Sequence, residues 1–386
     1  MDILIVSNGP GEVWGWAFPL ARALRSVHAR ASVTLALPPC QYATGREADL
    51  AARSGLFDRI EPPARVVRLV LGAGHVRADC VAHLGGDLWY AARLARRCGC
   101  PAVAYVERTL IARRHRAFAW IATNTSELAR QLVALGVPQT KIETVGDLRA
   151  DALNLIDQRT DGLGADVSLE GADGRRPLLL LLPGSRPRIF EALAPLMVEV
   201  GEGVRRLVPE TEVAVAPSPF LSEDLVRHRL DGARVRVVTD ESERLQAFRR
   251  AALALTIPGT STVELGLLGT PMLVWMPLYD PSRIPLEGTK EWVLRFPVIG
   301  PAVKGVLLRR YFRAGRFVAT PNRLSGRPLV EEVVGDAPPD EVVRRVAALL
   351  RDPQRLRSMR QGLRRHFPAT PGAAERLAGG IVEIAA

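Results

Sequence analysis

Two short turns in the second half of the chain combine residue types that suit phosphate. The first lies in LLLLLPGSRPRIFE, residues 178–191, where an apolar run ends in Pro-Gly-Ser-Arg and a helical pattern follows. Gly184 lets a ligand approach the backbone closely. Ser185 can cap the helix or bond a phosphate oxygen, and Arg186 can grip a phosphate through two parallel hydrogen bonds. The second turn lies in PGTSTVELGLLGTP, residues 258–271. Gly259, Thr260 and Ser261 again follow an apolar run and open a short helix, whose free N–H groups and partial positive charge favour an anion. Glu264 falls about one turn into that helix, where a carboxylate can accept both hydroxyls of a ribose. Taken singly, these residues suit equally well an ordinary strand–helix connection, a surface arginine and a solvated helix glutamate. Together, two phosphate-type turns and a ribose-type carboxylate fit a nucleoside diphosphate. The pattern GxxxxGK[ST] does not occur, so the turns are not a P-loop.

The first half offers carboxylates rather than cations. SNGPGEVWGW, residues 7–16, places Gly9, Gly11 and Gly15 after an apolar run. Their spacing is GxGxxxG rather than the dinucleotide fingerprint GxGxxG. Asn8 and Glu12 are placed to face an acceptor sugar or lipid. AHLGGDLWY, residues 82–90, puts His83 and Asp87 near the end of another strand. Asp87 suits a general base toward a hydroxyl and equally a helix N-cap; His83 suits a core position better than a site. Asp147, in VGDLRAD at 145–151, follows a strand in the same way.

These turns need strands and helices to hold them. ILIVS (3–7), SVTLALP (32–38), VVRLVLG (66–72), CVAHLGG (80–86), PAVAYVE (101–107), FAWIATNT (118–125) and IETVGD (142–147) read as strands, with helical patterns such as LWYAARLARR between them. Continuous apolar runs alternating with helices imply parallel sheets with right-handed crossovers. A polar, glycine- and aspartate-rich stretch near 155–177 reads as a linker. The alternation then restarts with LLLLLPG, TEVAVAP, RVRVVTD, ALALTIP and PMLVWMP. The expected division is an acceptor-side domain at 1–160, a nucleotide-binding domain at 175–340, and C-terminal helices at 341–386 that pack back on the first domain.

With 386 residues and 47% hydrophobic content, the chain can bury two such cores. Its formal charge of +11 points to nucleic acid, an anionic membrane surface or anionic small substrates. The arginines are dispersed and no aromatic RNA-binding signature occurs, which excludes nucleic acid. Cys40, Cys80, Cys98 and Cys100 lack the spacing of a zinc site or a disulfide scaffold. The N-terminus has no signal-peptide pattern and no apolar run approaches the ~18 residues of a membrane span, so a soluble intracellular protein is expected. Between 276 and 320, aromatics such as Trp292, Phe296, Tyr311 and Phe312 interleave with Lys290, Arg295, Arg309 and Arg310. That mixture suits an anionic bilayer surface, or equally a packed loop with a solvated basic face.

LLPGSR, the Gly-Thr-x-x-x-Glu helix at 259–264, PMLV (271–274) and above all TPNRLSGRPLVEEVV (320–334) resemble lipid-A-disaccharide synthase. GGD (85–87), the AYVE strand (104–107) and VGDLRADAL (145–153) extend the resemblance into the first half. It implies a GT-B α/β fold, with two Rossmann-like parallel-sheet domains facing a central cleft, and an inverting glycosyltransferase that uses a UDP-sugar and neither metal nor cofactor. The family joins UDP-2,3-diacylglucosamine to lipid X at the inner face of the membrane. By this resemblance Arg186, Gly259, Thr260 and Glu264 hold the UDP part, Asn322 and Arg327 lie near the donor or diphosphate, and Asp87 is the base. Glu12 joins Asp87 as an expected catalytic residue, and Asn8, Gly9, Gly11, Asp147, Gly184, Ser185 and Ser261 are expected to touch substrate. Asp147 stands where the family has the histidine of a Gly-His-x-x-x-Asp pattern. Asn8-Gly9-Pro10-Gly11-Glu12 stands where it has Gly-Glu-x-Ser-Gly-Asp, so the departures fall on the acceptor side. Expected partners are a UDP-sugar, a lipid-linked or glycolipid acceptor and an anionic membrane surface, with a homodimer left open. The expected place is the cytoplasmic face of the plasma membrane. Two other readings share these features: a UDP-N-acetylglucosamine 2-epimerase-like enzyme, and an inactive sugar-nucleotide- or membrane-binding relative.

Overall fold

A computed structural model describes residues 1–41, 43–159, 176–277, 317–367 and 370–386. The aromatic and basic stretch after Met276 lies, up to residue 316, outside the described residues. The chain divides into one unit of residues 1–155 and 370–386 and a second of residues 156–369.

The first unit is built on strands β1 (Asp2–Val6), β2 (Ser32–Ala36), β3 (Arg59–Glu61), β4 (Cys80–His83), β5 (Ala102–Val106), β6 (Trp120–Thr123) and β7 (Ile142–Thr144). Their order is β3-β2-β1-β4-β5-β6-β7, all parallel. Successive side chains of a strand point to opposite faces, and both faces are covered. Ile3, Ile5, Val33 and Leu35 join one core, whereas Leu4, Val6, Val81 and Ala104 join the other. Helices α1 (Phe18–Val27), α2 (Glu47–Ser54), α3 (Pro63–Leu71), α4 (Leu88–Cys98), α5 (Ser126–Ala134) and α6 (Leu148–Arg159) connect the strands. The run VVRLVLG, expected as a strand, is the body of α3. Pro63 pre-sets its first turn and Gly72 ends it in the left-handed conformation. Val66, Leu69 and Val70 are buried at helical spacing, so these terminal signals decide over β-branched content.

The second unit repeats the plan with β8 (Leu178–Leu182), β9 (Glu212–Val215), β10 (Arg236–Val237), β11 (Ala251–Thr256), β12 (Met272–Pro277) and β13 (Glu331–Gly335). The order is β10-β9-β8-β11-β12-β13, again all parallel. Its helices are α7 (Pro187–Leu207), α8 (Glu223–Leu230), α9 (Glu241–Arg250), α10 (Thr260–Leu268), α11 (Thr320–Ser325), α12 (Pro339–Leu350) and α13 (Pro353–His366).

The helices after residue 341 do not form a unit of their own. α12 and α13 pack in the second core through Val342, Val346, Leu356 and Leu363. The last helix, α14 (Ala373–Ala385), instead gives Ala374, Leu377 and Ile381 to the first. Asp151 fixes it there, accepting hydrogen bonds from Gly372 N at 2.6 Å and Ala374 N at 2.7 Å. Among the described residues no helix is long and apolar enough to cross a membrane.

Candidate functional site

In open parallel sheets the crevice for ligands lies beyond the carboxyl ends of the strands, where the strand order reverses. In the second unit that point is between β8 and β11, and the two glycine turns follow these two strands. Gly184 has φ +105°, and a Cβ there would stand 2.7 Å from Ile257 Cδ1, so the two turns pack side by side. Arg186 is the N-cap of α7 in an extended conformation, with Pro187 at the first helical position and no side-chain cap. Ser185 therefore lies one residue before the cap and does not serve as it. Gly259 is the N-cap of α10, also without a side-chain cap, and no atom lies within 4 Å of its would-be Cβ. Ser185, Arg186, Thr260 and Ser261 are half-buried around this edge. Uncapped helix starts, open backbone and Arg186 suit an anion.

Three second-unit residues differ from expectation. Glu264 is not an open carboxylate: its side chain is 6% exposed and accepts from Arg244 Nη2 at 3.2 Å. The Arg244 guanidinium in turn lies 4.5 Å over the Phe248 ring. Asn322 is buried and fully engaged. Its Nδ2 donates to Val330 O at 2.9 Å and Glu332 Oε1 at 2.7 Å, and its Oδ1 accepts from Val330 N at 2.9 Å. Glu332 also accepts from Val318 N and Ala319 N. The motif PN…GR…LVEE thus closes on itself as a scaffold for the start of β13. Arg327 is exposed four residues before that strand, at the amino edge of the parallel sheet, opposite the glycine turns. It lines a cavity of about 700 Å³ together with Arg355, Arg365 and His366. The structure thus places Asn322 and Arg327 at the start of β13 rather than at the glycine turns.

In the first unit the reversal falls between β1 and β4, and the sequence-derived residues gather there. Asn8 and Gly9 follow β1, and Gly11 and Glu12 lie in the helical turn Pro10–Glu12. The Glu12 side chain folds back so closely that a Cβ on Gly9 would overlap its carboxylate, and one on Gly85 would stand 2.8 Å from its Cγ. Gly86, at φ +84°, makes room for Asn8. Beneath them, buried Ser7 Oγ finds no hydrogen-bond partner among the described residues. Asp87 is the N-cap of α4. Its Oδ1 accepts from Trp89 N at 2.8 Å and Arg114 Nη1 at 3.3 Å, and its side chain is 62% exposed. His83 is a core residue whose ring lies tilted 6.2 Å from that of Phe118, and burial lowers its pKa to about 4.

Arg149 and Glu107, which the sequence does not single out, join Asp147 in a charged cluster beside these turns. Arg149, whose side chain is 7% exposed, binds Asp147 through Nε at 2.9 Å and Nη2 at 2.8 Å, and Nη2 also pairs with Glu107 Oε1. Burial opposes the charge of Arg149, but Asp147 and Glu107 outweigh it and raise its pKa. Asp147 is thus the partner of a buried arginine rather than an open ligand. Trp16 lies 5.7 Å from the guanidinium and edge-on to Tyr105 at 5.5 Å. A Cβ on Gly15 would meet Arg149 Cγ at 2.7 Å, so the glycine of GEVWG is cleared for this arginine. Glu107 follows the last residue of β5, and burial pushes its carboxyl up to about 7 against the pull of Arg149, with Asp147 and Glu12 adding to the rise. A glutamate directly after an apolar strand was the available signal. Among the described residues no group of His, Cys, Asp and Glu has metal-site geometry, and all four cysteines are free.

A family model described as Lipid-A-disaccharide synthetase matches residues 155–279, the stretch holding both glycine turns. The lipid-A-disaccharide synthase of Anaeromyxobacter dehalogenans (strain 2CP-1) is 27% identical over 310 residues, covering 77% of this chain and 72% of the relative. That of Myxococcus xanthus is 28% identical over 211 residues, 54% of this chain and 49% of the relative. The chain is similar to lipid-A-disaccharide synthases over most of its length. Its two parallel-sheet units form the GT-B fold. The UDP-GlcNAc 2-epimerase of Neisseria meningitidis, bound to UDP-GlcNAc, superposes with a TM-score of 0.64 at 14% identity, over 99% of this chain and 100% of that one. MurG of Acinetobacter baumannii gives 0.56 at 14% identity, over 99% of each chain.

Proposed function

We propose that the protein is an inverting, UDP-sugar-dependent glycosyltransferase that moves a glucosamine-type sugar, acylated in the family it resembles, onto a lipid-linked or glycolipid acceptor at an anionic membrane surface. The observation that carries this reading is the pair of glycine turns at Gly184 and Gly259. They lie side by side where the strand order reverses, inside the segment matched by the synthetase family model. Transfer requires stabilisation of the departing diphosphate. Backbone N–H groups at the start of α10, the Ser185 hydroxyl and Arg186 would supply it without a metal. Thr260 and Ser261 would bond the remaining phosphate oxygens. The edge of the first unit, with Asn8, Gly9, Gly11, Glu12 and Asp87, would receive the acceptor. Sequence matches to lipid-A-disaccharide synthases support the transfer reading.

The test is a calorimetric titration of UDP, with ADP and NAD as controls, on wild type and Arg186→Ala. Selective UDP binding weakened about ten-fold or more in the variant, the scale of one charge-assisted contact, supports the reading. Preference for NAD, or no UDP binding, sinks it. Conversion of UDP-N-acetylglucosamine to its 2-epimer without any acceptor would favour the epimerase reading instead.

A further inference from the structure

We propose that Glu107 is the catalytic residue that takes the proton from the acceptor hydroxyl, with Arg149 as its positioning residue. The inference rests on the transferase reading above and adds a group that the synthase resemblance does not supply.

Placement comes first. Glu107 directly follows β5, the neighbour of β4, at the carboxyl edge where the turns of Asn8–Glu12 and Gly85–Asp87 meet. Its side chain is 19% exposed, enough to meet a ligand while staying largely out of water. Among the described residues the hydrogen bonds to Glu107 come from Arg149 and from Tyr105 Oη, and both reach Oε1. Oε2 is left to meet a hydroxyl. Asp87 is placed less well for proton transfer, because its one bonded oxygen caps α4 and pairs with Arg114 in the open.

The surroundings are built for these charges. Gly9 and Gly85 are cleared for Glu12, and Gly15 for Arg149. Two polar atoms in this region, Ser7 Oγ and Trp16 Nε1, are buried without a partner among the described residues. A Cβ on Gly85 would lie 3.6 Å from Ser7 Oγ, so Ser7 faces the same small space as Glu12. A buried polar atom left unpaired is costly, and a hydroxyl-rich ligand would satisfy it.

The charged groups facing Glu107 are Glu12 from the turn after β1, Arg108 next to it in the chain, and Asp147 and Arg149 at the start of α6. Burial, Asp147 and Glu12 raise the carboxyl; Arg149 and Arg108 lower it; the balance lies at about 7. A carboxyl raised in this way is a better proton acceptor than an ordinary carboxylate. In the step itself the acceptor O–H bond breaks and its proton passes to Oε2. The oxygen pair so released forms the bond to the anomeric carbon. The bond from that carbon to the diphosphate breaks, and its electron pair leaves with UDP.

The test uses the full chain, UDP-2,3-diacylglucosamine as donor and lipid X as acceptor, with UDP release followed from about pH 5 to about 9. A parallel series without acceptor follows release to water. Glu107→Gln should lower kcat by about 10²–10⁴-fold while UDP affinity stays within about two-fold, and the acid-side fall of wild-type kcat/KM below about pH 7 should be absent from the residual rate. Glu107→Asp should recover part of the rate. Arg149→Lys should move the acid limb rather than abolish turnover. Turnover of Glu107→Gln within about three-fold of wild type, or an unchanged acid limb, overturns the proposal alone. UDP binding with no release from the donor in either series also overturns it. No UDP binding by wild type overturns the transferase reading and the proposal with it.

Discussion

Replacing Asn322 with alanine distinguishes a scaffold from a ligand contact. Asn322 holds Val330 through both its backbone groups, and also bonds Glu332. The two bonds to Val330 contribute about 0.5–1.5 kcal/mol each, and the one to the Glu332 carboxylate about 1.5–3 kcal/mol. Asn322 is 1% exposed, so solvent does not readily replace these bonds. A loss of roughly 3–5 kcal/mol in unfolding free energy is expected. Because the site lies at the amino edge of the sheet, UDP affinity should stay within about two-fold under conditions where the variant is folded. Urea unfolding gives the first quantity, calorimetry the second, and hydrogen exchange of the 318–335 peptide shows whether the loss is local. An unfolding free energy within about 0.5 kcal/mol of wild type, combined with UDP affinity down more than about ten-fold, would refute the reasoning and return Asn322 to the diphosphate.

Stability should also respond to pH through Glu107. Its folded pKa of about 7 lies above the ordinary glutamate value of 4.5, so the stabilising contribution is complete below the unfolded value. It is lost as pH rises from about 4.5 to about 7, by up to about 3 kcal/mol, and Glu107→Gln should flatten that part of a denaturation–pH curve. Asp151→Ala removes both hydrogen bonds at the start of α14 and should cost about 2 kcal/mol, read as a lower Tm and faster proteolysis after residue 370; an unchanged Tm refutes the capping role. Gly184→Ala forces an L side chain to φ +105° and toward Ile257, and should destabilise by about 1–3 kcal/mol. UDP binding should weaken with it, and calorimetry showing intact affinity would remove that turn from the site. Sedimentation with anionic and neutral vesicles over a salt series should show salt-sensitive binding to the anionic ones; no binding to either kind removes the membrane surface from the proposed function.

Much of the fold was legible because buried parallel strands leave a plain mark. DILIV, LLLLL and AALALT are continuous apolar runs, and each is a central strand. Two elements broke that rule for opposite reasons. VVRLVL is apolar and β-branched yet helical, because Pro63 and Gly72 define a helix of that length. EEVVG is acid-rich yet forms the edge strand β13, because its glutamates are engaged: Glu332 with two backbone N–H groups and Asn322, Glu331 with Arg345 and Arg355. The same engagement involves residues that the sequence marks as site candidates. A specific motif such as PN…GR…LVEE signals strong constraint, but the constraint here is a turn that closes on itself. Periodicity likewise does not report that Arg244, from another helix, reaches the Glu264 carboxylate.

The two units have the same strand order at their reversal points yet differ in chemistry, a difference that fits the proposed division of labour in group transfer. After β8 and β11 the turns offer backbone, hydroxyls and one arginine, and the nearby carboxylate, Glu264, is neutralised by Arg244. After β1, β4, β5 and β7 the edge carries Glu12, Asp87, Glu107 and Asp147, with one arginine buried among them. A leaving diphosphate calls for fixed dipoles and cations; a hydroxyl losing its proton calls for a carboxylate out of bulk water. Arg149 makes the second arrangement stable. Without it, Glu107 and Asp147 would face each other with no cation between them. With it, Asp147 has a two-point ion pair, and Glu107, raised by burial against the pull of Arg149, is left to meet a ligand. The departures from the synthase pattern at Asn8–Glu12 and Asp147 fall on this edge.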